Sequence, residues 1–132
     1  MIFVDTSFWV ALKNRRDTLH DEAVERLRRH GHGALATSTH VQGETWNLIQ
    51  SRCDHRTAVE FLEELTGSPR VAIFRTSEEQ EKQAWAWLRV HDERRYSFVD
   101  ATSFAVMRSL RIRDALAFDG DFAAAGFNEL RA

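Results

Sequence analysis

Cysteine, proline and tyrosine each occur once in this chain, as Cys53, Pro69 and Tyr96. A lone cysteine excludes an intramolecular disulfide and any cysteine-rich zinc site, and it suits a reduced, cytoplasmic protein. With one proline and six glycines in 132 residues there is no Pro/Gly-rich linker, and neither repeat nor low-complexity tract occurs. A single domain over residues 1–132 is therefore expected, long enough to form a core without disulfides or structural metal. No apolar run approaches the roughly 18 residues of a membrane span. The apolar opening is interrupted at Asp5 and has no basic segment before it, which argues against a signal peptide. The chain also lacks an excess of either charge: 18 Lys+Arg against 20 Asp+Glu give a formal net charge of -2. Any phosphate-binding surface must therefore be local or metal-assisted.

What is present is an alternation of short apolar runs with longer helical patterns. Ile2-Phe3-Val4 reads as a strand, and Leu19 to His30 as an amphipathic helix stopped by Gly31-His32-Gly33. Ala34 to Thr37 reads as a second strand. Thr39-His40-Val41-Gln42 resembles a capping box opening a helix to about Cys53, and Asp54 is placed to cap the next helix, to about Thr66. Gly67-Ser68-Pro69 is a turn signal before a third strand, Val71 to Phe74. Ser77-Glu78-Glu79-Gln80 is a further capping box, a helix follows Ser97, and Ala115 to Phe118 is a fourth strand. A short helix over Asp121 to Ala125 and a strand near Phe127 to Leu130 close the chain. Apolar strands separated by whole helices indicate an α/β fold whose mainly parallel sheet of four to five strands is covered on both faces. In such sheets ligands gather beyond the carboxyl ends of the strands.

Asp5 follows the first strand and Asp119 the fourth, so both project at one edge if those strands are parallel neighbours. Each also has an ordinary reading, as a helix N-cap or a turn residue. Glu44 shares a helical face with Val41 and Leu48, where an unpaired carboxylate is costly. Its ordinary reading is a pair with a cation such as Arg52. Asp100 lies on a face with Phe104 and Met107 but also fits a capping box with Ser97. If the four converge, two carboxylates about 5 Å apart repel by roughly 3 kcal/mol at an effective dielectric near 20. Such a cluster needs a cation or protons. Oxygen ligands without His or Cys suit Mg²⁺ or Mn²⁺, and phosphodiester hydrolysis is chemistry such a centre performs well.

Four segments in this order carry a family resemblance: I-F-V-D-T-S at 2–7, E-T-W-N from Glu44, S-F-V-D-A-T-S-F at 97–104 and A-F-D-G-D-F-A-A-A-G-F at 117–127. Over essentially its whole length the chain resembles the PIN-domain ribonucleases, and among them the VapC toxins of bacterial toxin–antitoxin pairs. The resemblance implies a PIN-like α/β/α sandwich and a divalent-metal-dependent endoribonuclease. Asp5, Glu44, Asp100 and Asp119 match the acidic quartet and would bind one or two Mg²⁺ or Mn²⁺ ions. Asp121, in the D-x-D-F form, would be a further ligand or a helix cap. Thr6 matches a supporting hydroxyl that would orient Asp5 or a bound water, and Ser103, one turn beyond Asp100, would line the site. The partners implied are RNA, a cognate antitoxin and a second copy of the chain. A stand-alone RNA-processing PIN nuclease would carry the same residues.

The remaining basic and aromatic residues bear on that reading. Arg15, Arg16, Arg94 and Arg95 are candidates for gripping RNA phosphates around an acidic centre, although most short basic runs are solvated helix faces. Trp85 and Trp87 cannot both face inward on one narrow stripe, which leaves one for an interface. His30-Gly31-His32 has no third ligand at zinc spacing and reads as exposed loop. Among rivals, a phosphatase with Asp5 as nucleophile needs a second Asp where Ser7 stands. A receiver domain needs an early acidic pair and a late lysine, which Asp17 and Lys82 fit poorly. Dinucleotide binding lacks its glycine-rich turn. A non-catalytic interaction module, with the acids acting only as caps, remains a distinct alternative.

Overall fold

Val4 and its neighbours Ile2 and Phe3 form β1 (Ile2–Val4), whose two central side chains are fully buried. The computed structural model describes residues 1–132. Around β1 the chain builds α1 (Thr6–Lys13), α2 (His20–His30), β2 (Leu35–Ser38), α3 (Thr39–Arg52), α4 (His55–Gly67), β3 (Val71–Phe74), α5 (Glu78–Val90), α6 (Phe98–Leu110), β4 (Asp114–Leu116), α7 (Asp121–Ala124) and β5 (Asn128–Glu129). The sheet order is β3-β2-β1-β4-β5, and every pairing is parallel. The chain winds outward from β1 to β3, then returns past β1 to start β4 on its other side. That reversal leaves a crevice beyond the carboxyl ends of β1 and β4, where ligand sites of doubly wound sheets form.

The core explains why these segments adopt these elements. Phe3, Val4, Ala115 and Leu116 of the central strands pack with Phe8, Val41, Ile49, Phe61, Phe104 and Phe122 from the helices. Strands buried on both faces read as apolar runs, as β1 does throughout and β4 does at Ala115 and Leu116. Trp9 packs edge-on against Phe61 and donates its indole N–H to Thr37 Oγ1 at 3.4 Å. Trp87 turns inward onto Tyr96 and Phe104, whereas Trp85 is 54% exposed and stacks on Phe98. The geometry of α5 thus divides the two indoles as its narrow apolar stripe requires.

Two local readings change. The cap of α3 is Ser38, not Thr39: its Oγ accepts the Val41 N–H at 3.1 Å. β4 is Asp114–Leu116, so Ala117 and Phe118 lie beyond the strand and Asp119 stands off its end. The reason is competition for backbone groups. Ser7 Oγ accepts the Phe118 N–H at 3.0 Å, and Arg26 donates to the Ala117 carbonyl at 3.3 Å. Side chains take the places that a further rung of ladder would fill.

Candidate metal centre

Asp5 begins as a helix cap. Its backbone is extended, and its Oδ2 accepts from the Ser7 N–H at 3.2 Å and the Ser7 hydroxyl at 2.8 Å. The same Ser7 oxygen accepts from Phe118 N, so one hydroxyl stitches the end of β1 to the segment after β4. Asp5 is 2% exposed, and its Oδ1 has no hydrogen-bond partner; neither has the buried Thr6 Oγ1 beside it in the chain. Buried polar atoms are nearly always paired, so two orphaned oxygens in adjacent residues call for a bound species. Burial first, then the neighbouring Asp119 carboxylate, pushes the Asp5 carboxyl up to about 8; Ser7 pulls it down and Asp100 adds to the rise.

Asp100 also caps. Ser97 N donates to its Oδ2 and its own N–H donates to Ser97 Oγ, both at 3.0 Å. The box turns Asp100 back along α6 towards the crevice, where burial chiefly raises its carboxyl to about 6. Burial likewise raises that of Asp119. Asp119 Oδ1 accepts the Asp121 N–H at 3.1 Å across Gly120, whose φ of +79° is the left-handed region that glycine enters without a Cβ penalty. One carboxylate oxygen from each of Asp100, Asp119 and Asp121 lies within 4.8 Å of the others. Asp121 is also bound by a cation, its Oδ1 accepting from Arg94 Nε at 2.8 Å.

Asp5, Glu44, Asp100 and Asp119 line one cleft of about 390 Å³, together with Thr6, Ser7, Ser97 and Arg52. Glu44 is half-buried there and forms no ion pair with Arg52. Asp5 and Glu44 stand outside the tightest carboxylate trio but face the same space. Asp121 joins the trio and does not line the cleft wall. Two expectations are corrected. Ser103 is fully buried, donates its hydroxyl to the Val99 carbonyl at 2.8 Å and has no place on the cleft. With its one O–H spent on its own helix and no surface open to the cleft, Ser103 does not line the site. Arg94 is turned onto the acids instead of standing free at the rim.

Arg15 and Arg16 are exposed and line an adjoining polar hollow of about 550 Å³ that shares Arg52 with the acidic cleft. Arg95 is exposed. Sequence reasoning gave Ser7 no role and named Arg52 only as a partner for Glu44, whereas both line the cleft. An Asp-x-Ser pattern at a strand end does suggest Ser7 as a local capping partner, but nothing local links Arg94 to Asp121, 27 residues away. A different groove, about 510 Å³ and mostly apolar, lies at the amino ends of β2 and β3, lined by Trp9, Leu12, Val24, Leu27, Phe61 and Leu65 among others. It is remote from the acid cluster.

The donor set fits a hard divalent cation: carboxylates and a hydroxyl, with no imidazole or thiolate. The orphaned Asp5 Oδ1 and Thr6 Oγ1 meet the same test, and a cation would offset the burial, and after it the mutual repulsion, that raise the acids.

A parallel sheet with acids converging at its switch point defines a class, and the chain belongs to it: residues 2–128 match the PIN domain family. Over 131 residues it is 54% identical to the 23S rRNA-specific endonuclease VapC20 from two strains of Mycobacterium tuberculosis, covering 99% of this chain and 98% of the relative. The crystal structure of M. tuberculosis VapC20, described as a sarcin-ricin loop cleaving toxin, superposes with a TM-score of 0.94 at 53% identity, covering both chains in full.

Proposed function

We propose that this protein is a Mg²⁺- or Mn²⁺-dependent endoribonuclease of the VapC type, with the ribosomal sarcin–ricin loop as its substrate. The observation that carries the reading is the convergence of Asp5, Glu44, Asp100 and Asp119 on one cleft, with Asp5 Oδ1 and Thr6 Oγ1 buried and unpaired. The identity to VapC20 over nearly the whole chain supports the substrate.

In this reading Asp5, Asp100 and Asp119 hold one or two ions, with Glu44 completing the set from α3. A bound ion supplies charge neutralisation at the scissile phosphate and acidifies an attacking water. The chain's own residues do the positioning. Ser7 holds Asp5 Oδ2 so that Oδ1 faces the cleft, Ser97 fixes Asp100, and Thr6 offers a hydroxyl to orient a neighbouring ligand. Arg15, Arg16, Arg52 and Arg95 supply the local positive surface that a chain of net charge -2 needs to hold a polyanion. A cognate antitoxin is the expected protein partner, and the apolar groove between α1, α2 and α4 suits an apolar segment of it. The exposed Trp85 and Val90 offer contacts for a second copy of the chain. No helix is long and apolar enough to cross a membrane, and a ribosomal substrate would be met in the cytoplasm.

The test is cleavage of a sarcin–ricin loop oligonucleotide by the purified protein. Cutting at one position with Mg²⁺ or Mn²⁺, lost with EDTA and with Asp5→Asn, supports the assignment. Intact RNA under both metals, or cutting indifferent to EDTA, refutes it.

A further inference from the structure

We infer that Arg94 is an internal counter-cation of the acidic centre, which engages one oxygen of Asp121 and offsets the charge that this carboxylate adds beside Asp5, Asp100 and Asp119. The inference rests on the divalent-metal reading above and assigns the fifth acid a role distinct from the other four.

Geometry supports it first. Arg94 Nε donates to Asp121 Oδ1 at 2.8 Å, and Nη2 of the same guanidinium donates to the Asp119 carbonyl at 3.0 Å. A planar fork making two bonds to one turn is held in register in a way a single ammonium is not. Gly120 at the centre of that turn is left-handed, with a φ of +79°.

Charge supports it second. Asp100, Asp119 and Asp121 bring three carboxylate oxygens within 4.8 Å of one another. Of these acids only Asp121 forms an ion pair. Its side chain is 16% exposed, and a charged hydrogen bond to a covered carboxylate is stronger than one in open solvent. Arginine is charged at every accessible pH, so this neutralisation does not lapse.

Connectivity supports it third. Arg94 lies between α5 and α6 in the segment that also carries Ser97, whose N–H fixes Asp100. One short stretch therefore engages two acids: Ser97 bonds Asp100 at the cleft, and Arg94 pairs with Asp121 beside it. Arg94 thus acts as a positioning residue through Asp121 and the Asp119 backbone.

A double-mutant cycle on Mn²⁺ affinity, read by calorimetry on the full chain, tests this. Asp121→Asn removes a negative charge and leaves Arg94 without its partner, so Mn²⁺ is expected to bind at least about fivefold more weakly. Arg94→Gln releases Asp121 and removes a positive charge, so Mn²⁺ binds at least about fivefold tighter. The gain disappears in the Arg94→Gln/Asp121→Asn double variant. Arg94→Lys keeps the charge without the fork and stays within about threefold of wild type. Weakened or unchanged binding in Arg94→Gln, or a double variant that binds as weakly as Asp121→Asn, overturns the inference. Should Arg94→Gln fail to fold, Arg94→Lys and Asp121→Asn decide: unchanged binding in Asp121→Asn overturns it. A wild-type protein that binds no Mn²⁺ overturns the metal reading and this inference together, whereas binding that Arg94→Gln does not tighten overturns this inference alone.

Discussion

Asp5→Asn should make the metal-free protein more stable while abolishing its activity. Without a cation the Asp5 carboxyl is raised from 3.8 to about 8 by burial and by Asp119. At neutral pH the unfolded chain carries this group ionised, and folding must take up a proton. At pH 7 that uptake costs about 1.36 kcal/mol for each unit above 3.8, or about 4 kcal/mol. A group raised in the folded state lends its full stabilisation below the unfolded value and loses it as pH climbs through the folded one. The metal-free protein therefore weakens from about pH 4 to about pH 8. Asparagine never ionises, and its carbonyl oxygen can still accept both Ser7 bonds now made to Oδ2. Its amide nitrogen falls where Oδ1 is orphaned, at a cost of about 1–2 kcal/mol. The net gain is about 2–3 kcal/mol near neutral pH, a rise in Tm of roughly 5–10 °C for a chain of this size. Thermal melts in EDTA at about pH 7.5 and about pH 4 measure it, with the advantage confined to the higher pH. A variant no more stable than wild type at the higher pH, or equally favoured at both, refutes the argument that Asp5 is a buried acid held for a cation.

Mn²⁺ should raise Tm more at about pH 8 than at about pH 5.5, because at the lower pH it must displace protons from Asp5 and Asp100; a pH-independent increment would place the ion elsewhere. Ser7→Ala removes a hydrogen bond to Asp5 and leaves the Phe118 N–H unpaired, for a loss of about 1–3 kcal/mol in chemical denaturation. Because Ser7 holds the Asp5 carboxyl down, the rise of activity with pH should also move upward in that variant. Trp87→Ala, which opens the cluster with Tyr96 and Phe104, should cost about 3 kcal/mol, against about 1 kcal/mol for the exposed Trp85→Ala. Equal losses would contradict the division of the two indoles.

The architecture was legible because hydrophobic patterning is local. Ile2-Phe3-Val4, the helices capped at Asp54, Ser77 and Ser97, and the turn at Pro69 all declare themselves within a few residues, and the structure keeps them with small shifts at the ends. Asp5, Glu44, Asp100 and Asp119 were likewise nameable, since each sits at a strand end or on an apolar face where a carboxylate is out of place.

What those acids are to one another was decided only by the fold. The order of strands places β4 beside β1, and no local pattern specifies that neighbour. Whether Asp5 and Asp100 were caps or part of a site had no answer in one dimension. In three, each caps its helix through one oxygen and lines the same cleft. Arg94 and Ser103 show the limit most clearly. Both looked suited to the rim or lining by type and spacing, yet a guanidinium takes the nearest carboxylate and a helical hydroxyl the nearest carbonyl. Chain identity determined the elements and the supply of charge; tertiary contact determined which charges meet, because Coulombic and desolvation energies depend on distances through space that separation along the chain does not encode.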